Sequence, residues 1–163
     1  MLATPHIIAG GAVGKIARRP WVAFPLALGL HFVLDAVPHI DTHGLFGSPE
    51  GYTTLEVGSA TIDSLLGVGL IVLLVRKRPG YRVIYWSALL SILPDILSHV
   101  PPMAYWFRTW PSLQWFNTFH HFVQRNLPLS QWPLAFGTQI ILLAVAIWII
   151  RAPGRASTNR RNV

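Results

Sequence analysis

The sequence predicts an all-α protein, a polytopic transmembrane bundle of four to five spans with one further helix lying on its outer face. Three observations lead there. Only 12% of the 163 residues are Asp, Glu, Lys or Arg, where a soluble globular domain has about 25%. Hydrophobic residues make up 52%, and they fall in runs long enough to cross a hydrocarbon core of roughly 30 Å. The basic residues stand in short clusters between those runs, a membrane-topology pattern rather than a nucleic-acid-binding one, so the net charge of +7 does not imply a nucleic-acid partner. Cysteine is absent, which excludes disulfides, thiolate metal sites and cysteine nucleophiles.

Taken in order, the chain opens with a short apolar stretch over 5–17. Thr4 suits an N-cap and Pro5 the first helical position. Its Ala9, Gly10, Gly11, Ala12 and Gly14 permit close helix packing in lipid, as a short span or a re-entrant helix. Basic residues follow this run rather than precede it, unlike a cleavable signal. Four longer stretches, 21–37, 57–75, 81–97 and 133–150, reach the length of a crossing at about 1.5 Å per residue. Between the last two, Trp106, Trp110, Trp115, Phe116, Phe119 and Phe122 mark an aromatic connection, read as an interfacial helix over 112–124. The connection 41–52, rich in glycine, reads as a loop. Residues 1–151 form one domain, and 152–163 a basic, disordered cytoplasmic tail.

Eleven of the thirteen basic residues lie before the second stretch (Lys15, Arg18, Arg19), between the third and fourth (Arg76, Lys77, Arg78, Arg82) or after the last (Arg151, Arg155, Arg160, Arg161). The positive-inside rule makes those places cytoplasmic and the C-terminus with them. Arg108 and Arg125 alone fall on the other side. Trp21 and Trp148 then sit at the inner interface and Trp132 at the outer one.

That topology, drawn without using any acid or histidine, gathers all four aspartates and all seven histidines in the outer half of the bundle. An ionisable group inside a membrane costs on the order of 2.5 to 3.5 kcal/mol even on lenient scales, so each asks for a reason. His31 and Asp35 share one helical face. Imidazole and carboxylate are ligands for Zn, Mn or Fe, and a divalent cation makes buried carboxylates tolerable. His6, His31, Asp35, Asp63, Asp95 and His120 form the expected ligand set for one metal or two, with His39 and His121 as the groups that move protons. Plainer readings stand beside these. His6 fits an interfacial polar residue, His39, Asp41 and His43 fit turn chemistry, and only one of the neighbours His120 and His121 faces the bundle. Asp35, Asp63 and Asp95 on three different stretches at similar depth favour a shared site.

Thr4-Pro5-His6 before a small-residue helix, His31-Phe-Val-Leu-Asp35-Ala-Val-Pro-His39-Ile-Asp41, Leu93-Pro94-Asp95 and Phe119-His120-His121 resemble the bacterial and archaeal membrane-bound metal-dependent hydrolases, some of them inner-membrane proteins linked to the SOS regulon. The likeness covers most of residues 1–125. That family's usual Pro-Asp-x-Asp element is split here, with Asp35 and Asp41 on either side of Pro38-His39. The resemblance implies a metal-binding helical bundle in an inner membrane and, through a distant similarity to zinc-dependent phospholipase C, phosphoester hydrolysis.

The expectation is therefore a zinc-, manganese- or iron-dependent hydrolase acting at the outer face on a phosphoester or lipid-derived, amphiphilic substrate that arrives from the membrane. No nucleophile elbow, His-Glu-x-x-His or phosphate-loop pattern occurs. A metal-ion or proton-coupled transporter ranks behind it, because the inner halves of the stretches hold Ser87, Ser91 and little else that is polar. A non-catalytic membrane scaffold ranks third.

Overall fold

A computed structural model describes residues 1–48, 52–78 and 80–153. Most of the expected tail, 154–163, and Glu50 in the first outer loop lie outside the described residues. The described chain is all-helical: α1 (Ala3–Ala17), α2 (Pro20–Asp35), α3 (Thr42–Phe46), α4 (Thr54–Val75), α5 (Tyr81–Leu90), α6 (Leu93–His99), α7 (Met103–Thr109), α8 (Pro111–Val123) and α9 (Trp132–Arg151).

Helix α1 is the axle. It packs against α2, α4, α5 and α9, and every residue from Pro5 to Ala12 is buried. Its glycines make this possible. A Cβ on Gly10 would lie 2.5 Å from the Ser91 Cβ and 2.7 Å from the Ser87 carbonyl oxygen, and one on Gly14 would lie 2.7 Å from the Ile84 Cα. The spacing of four puts both on the face that meets α5, a small-xxx-small contact. Ile7, Ile8, Ile71, Ile84 and Ile150 fill the core around it. Helix α1 ends on Arg18 in the left-handed conformation (φ 59°).

Two helical stretches, Thr54–Val75 and Leu129–Arg151, are long and apolar enough to cross a membrane, and Tyr81–His99 with Met103–Thr109, bent by 64°, makes a third if the pair counts as one span. Helix α2 has 16 residues, about 24 Å of rise, and α1 has 15. The outward faces of α4 and α9 are apolar, with Leu65, Leu66, Leu73, Ile140, Ile141 and Val145 exposed, as association with lipid requires.

The continuous helix expected over 81–97 is interrupted between Leu90 and Leu93. Pro94 has no N–H to give to the Leu90 carbonyl and its ring crowds that turn, so the helix stops and restarts with Pro94 in its first turn. The connection after α2, expected as loop, contains the short α3, because Asp41 Oδ1 caps it by accepting from Gly44 N at 2.7 Å. Beyond α8 the chain returns to the end of α2. Arg125 N donates to the Asp35 carbonyl, His39 N to Arg125 O, and Leu127 N to His39 O. These bonds hold the end of α8 over the end of α2.

Candidate metal centre

Four side chains converge where α2, α6 and α8 meet. His31 and Asp35 come from α2, one turn apart; Asp95 from the first turn of α6; His120 from α8. One ligand atom from each lies within 4.8 Å of the others. His31 Nε2 and His120 Nε2 are 3.1 Å apart. Asp35 Oδ2 is 3.2 Å from each of those nitrogens, and Asp95 Oδ1 is 3.8 Å from the first and 3.4 Å from the second. The corners of a tetrahedral zinc site with bonds of about 2.0–2.1 Å are about 3.3–3.4 Å apart. Both histidines and Asp35 are fully buried.

The rings are held in the orientation that a cation needs. His31 Nδ1 lies 2.8 Å from the Ser91 carbonyl oxygen, which can only accept, so Nδ1 carries the proton and Nε2 keeps its lone pair. His120 Nδ1 meets Ser98 Oγ at 2.9 Å. Anchored Nδ1 atoms and converging Nε2 atoms are the usual arrangement of metal-binding imidazoles. Two carboxylates and two imidazole nitrogens in contact need a positive charge among them, a metal ion or a proton. His120, on a helix outside the candidate spans, registers that demand. Burial pulls its pKa down, yet hydrogen bonds to Asp35 and Asp95 outweigh it and raise it to about 9. The four residues can hold a metal ion, and N2O2 donors of this kind suit a first-row divalent cation.

Of the six expected ligands, these are four. His6 stands next to them without joining the set. Its ring stacks on His31 with centroids 4.3 Å apart, and its Nε2 contacts Asp35 Oδ1 at 3.1 Å, the oxygen that also accepts from the buried Met1 amino group at 2.9 Å. Asp35 thus spends Oδ1 on these two and presents Oδ2 to His31 and His120. Asp63 turns to the start of α1, where Oδ2 accepts from Ala3 N at 2.5 Å and Thr4 N at 3.2 Å; it serves as the N-cap that Thr4 was expected to provide. Asp41 uses its second oxygen to accept from Asn126 Nδ2 at 2.8 Å.

A cavity of about 490 Å³ opens beside the centre, with Asp95, His99 and His121 on one wall and His43, Tyr52 and Glu56 on another. His121 therefore reaches the space next to the centre. Burial, with His99 and His120 adding to it, lowers its pKa. His39 does not line this cavity. It is fully buried, its Nδ1 meets the Val37 carbonyl at 2.7 Å, and its Nε2 has no partner. The sequence placed Ser91 in the inner half of its stretch, whereas its carbonyl holds His31; Ser98, three residues after Asp95 on one helical face, and the His43–Glu56 pair were passed over.

No family model, curated protein or solved structure matches the chain.

Proposed function

We propose that the chain is a membrane-embedded metal-dependent hydrolase, with His31, Asp35, Asp95 and His120 holding one divalent cation, zinc for preference, and that it acts on a phosphoester or lipid-derived substrate at the outer face of the membrane. The observation that carries this reading is the pair of imidazoles anchored through Nδ1, with their Nε2 atoms turned to each other and to two carboxylates. A transport pathway would need polar groups continuing to the other end of the bundle. Around Ile71, Val75, Ile84 and Ile150 the core is apolar.

In this reading α1, α2, α4, α5 with α6, and α9 cross the membrane, and α8 lies along the outer surface. Helix α1 can be short because it is enclosed by protein, where bilayer thickness does not constrain a backbone that lipid never meets. The basic ends face the cytoplasm. A divalent cation held by these four residues would supply a Lewis acid for a phosphoryl oxygen and bring a water toward neutral pKa only by taking a fifth ligand, as zinc does at catalytic sites. The chain's own residues do the rest. Ser91 and Ser98 fix the imidazoles. Phe32 and Phe116, whose rings lie 5.9 and 6.2 Å from that of His120, exclude water from the side away from the cavity. We assign proton transfer to His121, because it lines the cavity and its lowered pKa keeps it neutral and able to accept a proton near pH 7.

Zinc-loaded protein in lipid nanodiscs should hydrolyse bis(p-nitrophenyl) phosphate. Asp95→Ala or a chelator should abolish the activity, and His121→Gln should cut the rate by roughly 10²-fold with metal retained. Zinc flux into proteoliposomes with no turnover of this ester would replace the hydrolase reading with transport.

A further inference from the structure

We propose that the cavity beside the centre is a binding pocket for a primary ammonium group, with Glu56 as the carboxylate that recognises it. Resting on the hydrolase reading, this narrows the substrate to an aminoalkyl phosphoester, its phosphate at the metal centre and its ammonium at Glu56.

The cavity's charge is the first ground. Among the described residues, four carboxylates line it, Asp41, Glu56, Asp63 and Asp95, and no lysine or arginine does. Two positive groups stand at or behind its wall and both are engaged: the Met1 amino group with Asp35 at 2.9 Å, and the Arg108 guanidinium, behind Tyr52, donating to the Tyr52 hydroxyl at 3.0 Å and to the Ser98 carbonyl at 2.8 Å. Asp63 caps α1, Asp41 caps α3 and holds Asn126, and Asp95 faces the two ligand imidazoles.

Among the described residues, Glu56 is the carboxylate with a buried oxygen that has no partner. Its residue is 4% exposed; Oε1 meets His43 Nδ1 at 3.1 Å, and Oε2 is buried with no partner. Helix formation does not explain this. Thr53-x-x-Glu56 has the pattern of a capping box, in which the glutamate would bond back to the Thr53 N–H. Thr53 Oγ1 does accept from Glu56 N at 3.0 Å, but the carboxylate turns to His43 on the cavity wall instead. A buried carboxylate oxygen with no donor is costly; Oε2 is closed to solvent, so a ligand in the cavity supplies a donor once the carboxylate turns toward it.

The neighbouring groups add acceptors. His99 Nδ1 donates to the Asp95 carbonyl oxygen at 3.0 Å, which leaves Nε2 with a lone pair. His43 is held over Gly47, where an added Cβ would come within 2.3 Å of its Nδ1. Tyr52 stands edge-on to both rings, at 6.5 Å from His43 and 6.3 Å from His99. Acceptors and net negative charge suit a cation that brings its own N–H donors. A primary ammonium has three; a quaternary one has none.

The test compares phosphoethanolamine, phosphocholine and glycerol 1-phosphate by isothermal titration calorimetry, on zinc-loaded wild type and Glu56→Gln in nanodiscs, with zinc content measured on the same samples. Phosphoethanolamine should bind the wild type about tenfold more tightly than the other two, the worth of one charge-assisted hydrogen bond. E56Q should bring the three together without changing zinc content. A wild-type preference below about twofold, too small for such a bond, overturns the inference and does so even if the variant fails to fold. Persistence of the full preference in E56Q also overturns it. Ethanolamine alone is the arm that needs no metal. At equal ionic strength it should raise the melting temperature of the wild type and leave E56Q unmoved, and no shift in the wild type counts against the ammonium pocket whatever the zinc content. Lack of zinc with the ethanolamine shift intact would instead strike the hydrolase reading alone.

Discussion

Ser91 and Ser98 touch no cation in this account, yet they decide where the two ligand imidazoles point. Ser98 Oγ reaches His120 Nδ1 at 2.9 Å, so Ser98→Ala should weaken zinc binding by about 10- to 100-fold while leaving the fold intact; competition with a fluorescent chelator would measure it. The Ser91 partner is a backbone carbonyl, which no substitution at that position removes. His39 makes a different prediction. Burial first, and then the positive amino terminus, lower its pKa from 6.5 to about 4. The folded state therefore stays neutral where an unfolded chain takes up a proton. Its contribution to stability is complete above about pH 6.5 and drains away as pH falls toward about 4, by up to roughly 3 kcal/mol. Thermal unfolding in detergent at pH 7.5 and 4.5 should show this loss in the wild type and a smaller one in His39→Gln. An equal loss in the variant would mean that other groups carry the acid sensitivity.

At the scale of elements, the contact between α1 and α5 links packing to chemistry. Gly10 lets the backbone of α1 close on Ser91, and the Ser91 carbonyl holds His31. Gly10→Ala should destabilise the bundle by about 1–3 kcal/mol through overpacking. It should also lower zinc occupancy, although Gly10 touches no ligand, and metal analysis beside thermal unfolding would show both. The break between α5 and α6 belongs to the same device, since Pro94 ends one helix and sets Asp95 in the first turn of the next. Much of this was legible in the sequence. The run of small residues announced a tightly packed first helix, and the aspartates and histidines at one end announced a site. The break at Pro94 was hidden because 81–97 is apolar on average, and hydropathy does not register a missing N–H. Asp63 looked like a ligand because depth alone does not distinguish a carboxylate that faces a cation from one that caps a neighbouring helix. Its partners, Ala3 and Thr4, lie about sixty positions away in sequence, which no local pattern encodes.

For the molecule as a whole, the arrangement is a central helix surrounded by α2, α4, α5 and α9, with most basic residues at one end and the acid–histidine cluster at the other. Absence of cysteine makes the proposed orientation directly measurable. In intact cells a membrane-impermeant maleimide should label Thr42→Cys and spare Lys77→Cys, and the reverse would invert the topology and place the centre on the cytoplasmic side. The central claim is that His31, Asp35, Asp95 and His120 hold a metal, and elemental analysis of protein purified in detergent without added chelator tests it most directly. The wild type should carry about one zinc per chain, as a four-ligand site requires. Asp35→Ala and Asp95→Ala should carry less than about a tenth of that, since each removes a ligand from a buried site. Wild-type protein without bound metal, or both variants retaining it in full, would contradict the account.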